Sequence, residues 1–546
     1  MKQRSPLSIR RYLLPALIPL LLCSCGRDPV DKSPAGQPDD GVPQILHLGN
    51  GAEPKALDPH VVTGVTEHNI ISALLEGLVT ENPKTLEPQP GAAESWSVSD
   101  DGTVYTFALR SNGKWSNGDT VTAHDFVFSF ERMLSPGLSA EYAEMLFVMK
   151  NAAAFHEGTL TDFSQVGVRA VNDSTLEITL NAGTPYFLSM LNHYSWYPVH
   201  PPTILKHGKM DELHTPWTRP GNYVGNGVFV LDTWEVNKVI VVKKNPLHWD
   251  AQIVRLEAIH FHAIEKALTE ERAFRAGDLH VTGTVPLDKI EKYQQKSPEL
   301  LMVSPYIGTY YYLFNVEQPP LDDVRVRKAL SMSIDRAAIC THVLKAGQLP
   351  AYHFVPPDTG GYTSQARVTY DIAAAKTLLA EAGYPDGEGF PGFELLYNTN
   401  ESHRKIAEVI QQMWQKNLNI KVMLKNQEWK VYLDSTQQGD FQVARAGWIG
   451  DYVDPNTFLD LWITGGGNNR TRWSNSDYDN FISTAAATSD AAVRFNAFQK
   501  AETILLNELP IMPIYLYVSL SLIQPGVKGW YPTLLDHHPY KYVYLE

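Results

Sequence analysis

The stretch Val443–Trp462, VARAGWIGDYVDPNTFLDLW, gathers the side chains best suited to chemistry. Trp448 offers a flat apolar wall, Gly447 lets the backbone run close to another group, and Asp451 follows within four residues. A carboxylate beside such a wall is what a site needs to hold a cationic group out of water. Taken by itself, the stretch is read more simply as Asp451 capping a turn. The chemistry is that of binding rather than reaction, because the chain has no GxSxG elbow, Walker A sequence, HExxH or CxxC motif. His156-Glu157 lacks the second histidine of a zinc helix. His260 and His262 stand at strand spacing and would share a face, but structural histidines far outnumber ligands. No metal and no cofactor are therefore expected, and no enzyme activity.

The elements that must position these residues are alternating strands and helices. Phe441-Gln442-Val443-Ala444 reads as a buried strand leading into Gly447. Asp454 is placed to cap a helix with Pro455 at its first position and Phe458, Leu459 and Trp462 on one side. A second helix is expected from about Ala123, with Phe126, Val127, Phe130 and Leu134 inward, and a hairpin over Val168–Leu180. The Tyr-rich runs Tyr306–Tyr312 and Ile514–Tyr517 alternate like strands, one face core and the other free to line a cleft. Asp323–Arg336 reads as an amphipathic helix whose basic residues form the solvated face. At 546 residues, two or three domains are expected.

Met1–Gly26 has a basic start, an apolar run from Tyr12 to Leu22, then Cys23-Ser24-Cys25. The run is too short to span a bilayer and reads as a secretory signal. Its end resembles a bacterial lipobox, with Cys25 as the lipidated residue and residues 1–25 removed. Residues 26–42, rich in Pro, Gly, Asp and Ser, read as a flexible tether. Without Lys2, Arg4, Arg10 and Arg11, 42 basic residues face 60 acidic ones, and the charge of -14 falls to about -18, which disfavours nucleic acid. The mature part would keep only Cys340, so no internal disulfide is expected.

Asn50–His60 (NGAEPKALDPH) and Val61–Glu67 then carry a resemblance that runs through the rest of the chain. It continues in Ala93-Glu94-Ser95-Trp96, Lys114–Asp119, Trp217–Asn222, Asp322–Leu330, Asn426–Lys430 and VARAGWIGDY. From Ile45 to Glu546 the sequence resembles the extracytoplasmic solute-binding proteins of peptide and nickel ABC importers, closest to the oligopeptide binders. The resemblance implies an α/β, periplasmic-binding-protein-like two-lobed (Venus-flytrap) fold with an extra domain, three domains in all. A discontinuous first lobe would comprise 43–75, 201–305 and 519–546, the extra domain 76–200 and the second lobe 306–518.

The implied function is a lipid-anchored monomeric receptor in the periplasm that binds oligopeptides between its lobes and delivers them to an inner-membrane ABC permease. Strand pairing would bind the peptide backbone through Thr63, Gly64 and Val65 on one side and Gly447, Trp448 and Ile449 on the other. By the same resemblance Asp451 would take the peptide ammonium and Arg445 the carboxylate of a short peptide. Tyr142, Trp429, Trp448 and Tyr517 would line side-chain pockets, with Tyr306 from its Tyr-rich run. Some relatives place cysteines where Gly308 and Ile449 stand, and some an arginine at Thr436. The disulfide is then missing here, and a preference for acidic or murein-type side chains is in doubt. Other solutes of the same family, or a surface sensor that feeds no permease, are the competing readings.

Overall fold

The computed structural model describes residues 41–546. The signal peptide, Cys25 and the tether up to residue 40 lie outside the described residues. Val42, assigned to the tether, already packs against the core, and its carbonyl accepts from Gln44 Nε2. The folded part thus begins three residues before the expected strand.

Three sheets organise the chain. The first has four strands: Ile45–Gly49 lies parallel to Ala258–His262, followed by Val239–Lys244 and Phe229–Glu235. Its first strand joins from almost two hundred residues upstream, so the sheet is discontinuous in sequence. The second is an antiparallel meander-like sheet of Ala93–Val98, Val104–Leu109, Thr175–Thr179 and Val168–Asn172. The expected hairpin is its last strand pair. Helix Ala123–Leu134 begins at the expected residue, where the Asp125 carboxylate accepts from the Thr122 N–H. It buries Phe126, Phe130, Met133 and Leu134, while Val127 is only half-buried.

The third sheet has six strands in the order Leu349–Pro350, Ile511–Leu522, Leu301–Phe314, Val443–Ile449, Phe393–Asn398 and Val422–Gln427. Its frame is the pair Leu301–Phe314 and Ile511–Leu522, of 14 and 12 residues. Both faces of this pair are covered. Tyr310, Tyr312 and Phe314 join a core with Trp414 of helix Glu401–Leu418, while Tyr311 and Leu313 join another with Phe354 and Trp462. Period-two alternation sorts them, and what the sequence reads as a cleft face is core for Tyr311. The ladder breaks between Pro305 and Thr309, so Tyr306, Ile307 and Gly308 are set out of register opposite Tyr517. Gly308 and Ile449 are cross-strand partners, and a side chain at 308 would collide with Ile449.

Asp323–Arg336 departs from its expectation. The helix runs only Val324–Met332, with a separate turn at Arg336–Ala338. Arg327 and Arg336 are buried, not solvated. Arg327 donates to the carbonyls of Leu321, Glu508 and Leu509, and Arg336 to those of Pro513 and Ser331. Each guanidinium closes carbonyls that the chain's bends would leave unpaired. Cys340 is buried and free, its thiol pushed up to about 12 by burial.

The segment before the first cavity-lining loop is tied to the second sheet's helix by a buried pair. Arg132 grips both Asp58 oxygens at 3.0 and 2.6 Å and also donates to the Met210 carbonyl. Burial alone would raise the Asp58 carboxyl, but Arg132 outweighs it and holds the group below the usual carboxylate range. Its stabilisation is therefore present above that range and lost as pH falls through the lowered value. Arg132→Met should cost about 3–5 kcal/mol, read as a lower urea midpoint, because the carboxylate stays buried without its partner. Adding Asp58→Asn should return part of that loss, and a double variant as weak as the sum of both single variants would contradict the pairing.

Candidate functional site

Strand Val443–Ile449 lies at the heart of a cavity of about 550 Å³, within the size range of small-ligand sites. One edge pairs with Leu301–Phe314 along its whole length, from Val443 to Ile449. On the other edge Phe393–Asn398 pairs only with Val443 and Ala444. Arg445–Ile449 therefore have no strand partner on that side. Gly447 is needed where it stands, since a Cβ would meet the Tyr517 hydroxyl and the Arg445 guanidinium.

All twelve residues expected at a ligand site line this one cavity. Thr63, Gly64 and Val65 enter from the loop that starts helix Val65–Leu74, with Gly64 in extended backbone at its cap. A Cβ on Gly64 would collide with the Glu67 carboxylate and touch Trp429, so this loop and the helix Trp429–Gln438 close tightly on each other. Trp429 stacks on Tyr432 with ring centres 5.7 Å apart. Trp448 faces Tyr142 at 5.9 Å, and Tyr306 faces Tyr517 at 6.1 Å. The indole N–H groups of Trp429 and Trp448 are buried and have no hydrogen-bond partner in the described residues. Thr436 is buried against Arg470, whose guanidinium already pairs with Glu141 at 2.8 Å.

Asp451 sets the electrostatics. Only 11% of its side chain is exposed, and burial pushes its carboxyl from 3.8 up to about 7. That corresponds to roughly 4 kcal/mol against the charged form. Tyr142 Oη donates to Oδ1 and Thr457 Oγ1 to Oδ2, each at 3.3 Å, which offsets only part of the burial. His193 Nε2 lies 3.4 Å from Oδ1. The Ser195 N–H donates to His193 Nδ1, so the ring hydrogen sits on Nε2 and faces Asp451. Burial lowers His193 to about 3, so it meets Asp451 as a neutral donor. Among the described residues no Lys or Arg pairs with Asp451.

Arg445 is the complement. Its Nη2 donates to Tyr517 Oη at 2.7 Å, its plane lies over Tyr310, and its Nε is buried without a partner. No carboxylate among the described residues pairs with it. Asp451 lies six positions after Arg445, at most about 20 Å of extended chain. The cavity thus holds an acid without a base and a base without an acid, with unpaired strand edge between them.

Local pattern missed several lining residues. His403 sits against Tyr310 near Arg445, and its ring is kept neutral by burial and by that cation. His537 binds Glu81 at 2.9 Å and stacks on His68. Burial would lower His537, but Glu81 prevails and raises it, placing a protonatable group in the field of Asp451. Nothing in the spacing around position 537 marks it, since its partners lie more than four hundred residues away.

The sequence model described as bacterial extracellular solute-binding proteins, family 5 Middle, matches residues 87–470. The periplasmic murein peptide-binding protein MppA of Escherichia coli K12 is 39% identical over 486 residues, 88% of each chain. The structure of Haemophilus influenzae OppA in complex with RPPGFSPFR superposes with a TM-score of 0.88 at 37% identity, covering 93% of this chain and 100% of that one. MppA in its unliganded open form, at 38% identity and covering 92% and 97%, gives only 0.62. The two identities differ by one per cent, and the lower score is the one to the unliganded open form. The two-lobed fold superposes better on the peptide complex than on the open form.

If Asp451 is held as described, its acid form persists to neutral pH. Difference infrared spectra of the protein against Asp451→Asn should show a protonated carboxyl band that disappears as pH rises through about 7. Disappearance near the ordinary carboxylate value would mean that the group is hydrated or paired.

Proposed function

The chain belongs to the bacterial extracellular solute-binding proteins of family 5, and from that premise we propose that it is a receptor for short peptides. It binds them between its lobes and presents them to an ABC permease in the inner membrane. The observation that carries this reading is that Arg445, on a strand with a free edge, and Asp451, two residues past its end, both lack an oppositely charged partner among the described residues.

A zwitterionic extended peptide answers each of these deficits. Its ammonium restores a partner to Asp451, its carboxylate can take the Arg445 fork bidentately, and its backbone can pair with Gly447–Ile449. Thr63–Val65 supplies backbone from the other lobe. The aromatic walls of Tyr142, Trp429, Trp448, Tyr306 and Tyr517 take side chains through broad contact rather than fixed hydrogen bonds, which suits a receptor for many sequences. The OppA and MppA relatives, named as oligopeptide- and murein-peptide-binding proteins, support this class of ligand. Thr436 offers no cation, and Arg470 beside it is already paired, so strong selection of acidic side chains is not expected there.

The remaining assignments extend the same reading. Cys25 carries the lipid, and the mature protein acts as a monomer at the periplasmic membrane surface. The lobes divide as 43–75 with 201–305 and 519–546 against 306–518, with 76–200 as the extra domain. The long strands Leu301–Phe314 and Ile511–Leu522, which run past these limits, are the natural crossovers.

Thermal melts of refolded, ligand-stripped protein test the amine clamp. Free tri- to pentapeptides at a hundred times their Kd should contribute about 2.7 kcal/mol and raise the midpoint by several degrees, and the same pool N-acetylated should not. Equal rises would remove the role given to Asp451. Asp451→Asn, which keeps the shape, should cost about 3–5 kcal/mol of binding. A loss of less than about tenfold in Kd would contradict it.

A further inference from the structure

Four histidines gather on the first sheet. His47 and His260 are register partners on the parallel strands Ile45–Gly49 and Ala258–His262, and His262 is the next residue on the same face. Leu48 and Phe261, which line the peptide cavity, alternate to the opposite face, so the sheet stands between the two sites. His47 Nδ1 lies 3.1 Å from His262 Nε2, and ring centres of His47 and His260 are 4.6 Å apart. One ring nitrogen from each of the three lies within 4.8 Å of the others.

Three nitrogens bound tetrahedrally to one ion at 2.0–2.1 Å stand about 3.3 Å apart. The His47–His262 separation already matches this, and His260 can close by turning its ring, since its side chain makes no hydrogen bond among the described residues. A hydrogen bond between His47 and His262 explains two of the rings but leaves His260 without a reason to converge. His280 is different. Its Nδ1 accepts from the His47 backbone N–H at 3.0 Å, so its lone pair is used in holding the strand. The hollow is also lined by Asp278 and Glu546, whose charge favours a cation.

We propose that His47, His260 and His262 form a binding site for a divalent transition metal ion, separate from the peptide cavity. Three imidazoles select zinc, nickel or copper over magnesium or calcium, and the fourth position is open to water or to Asp278. Bound there, the ion fastens the first described strand to a neighbour more than two hundred residues away in sequence.

The test uses full-length protein freed of metal by chelation and Zn²⁺ alone as probe, competed against a chromophoric chelator. One Zn²⁺ per chain is expected, and His47→Ala or His262→Ala should each weaken it by at least about a hundredfold. His342→Ala, on the exposed surface, should change nothing. Co²⁺ should give the intense visible bands of a four-coordinate ion, lost in His260→Ala. Independently of any variant, Zn²⁺ should protect the three histidines, but not His342, from carbethoxylation read by mass spectrometry. Absence of binding with Zn²⁺ in excess, binding indifferent to these substitutions, or equal modification with and without Zn²⁺ would overturn the proposal.

Discussion

A buried carboxylate with no Lys or Arg partner among the described residues is the constraint on which the site depends. Asp451 accepts from two hydroxyls and faces a neutral imidazole, and these offset only part of the cost of its burial. Tyr142, one of the hydroxyls, comes from the region around the second sheet, while Asp451 follows a strand of the third. On the proposed function, a ligand with an ammonium group would restore the partner that this carboxylate lacks.

The rest of the framework keeps that carboxylate and its counterpart in register. Arg445 and the Gly447–Ile449 edge ride on a strand locked along one side to Leu301–Phe314. The frame strands are covered by aromatic cores on both faces, which leaves them little freedom to shift. The ladder shifts register twice, between Tyr310 and Tyr311 and around Tyr306–Gly308, and at the latter Tyr306 and Tyr517 turn toward the cavity. Rigid strands fix the charges, and an irregularity sets the aromatic wall.

Much of this was legible in the sequence, and the exceptions share a physical cause. Gly447, Trp448 and Asp451 announce themselves because a small residue, a wall and an acid fall within five positions of one another. Helix Ala123–Leu134 and the hairpin at 168–179 follow from periodicity and turn residues, which act locally. Arg327 and Arg336 misled because helical spacing tells which face a residue occupies but not whether carbonyls from residues 508–513 will arrive to cover it. His193 and His537 were invisible for the same reason, since their roles come from partners brought by the fold. His260 and His262 were seen as a pair, but His47 joins them only through a parallel register that spacing does not encode.

The most direct measurement is the proton balance of peptide binding, by calorimetry in buffers of differing ionisation enthalpy. If the ammonium meets Asp451 as this structure buries it, binding at about pH 6 must expel the carboxyl proton, since burial sets the group near 7 before the ligand arrives. At about pH 8.5 the sign should reverse, because the peptide amine, with a pKa of about 7.7–8.0, must gain a proton to bind. Release of close to one proton on the acid side, lost in Asp451→Asn, is the predicted result. Binding at full strength with no proton exchanged at either pH would contradict the account.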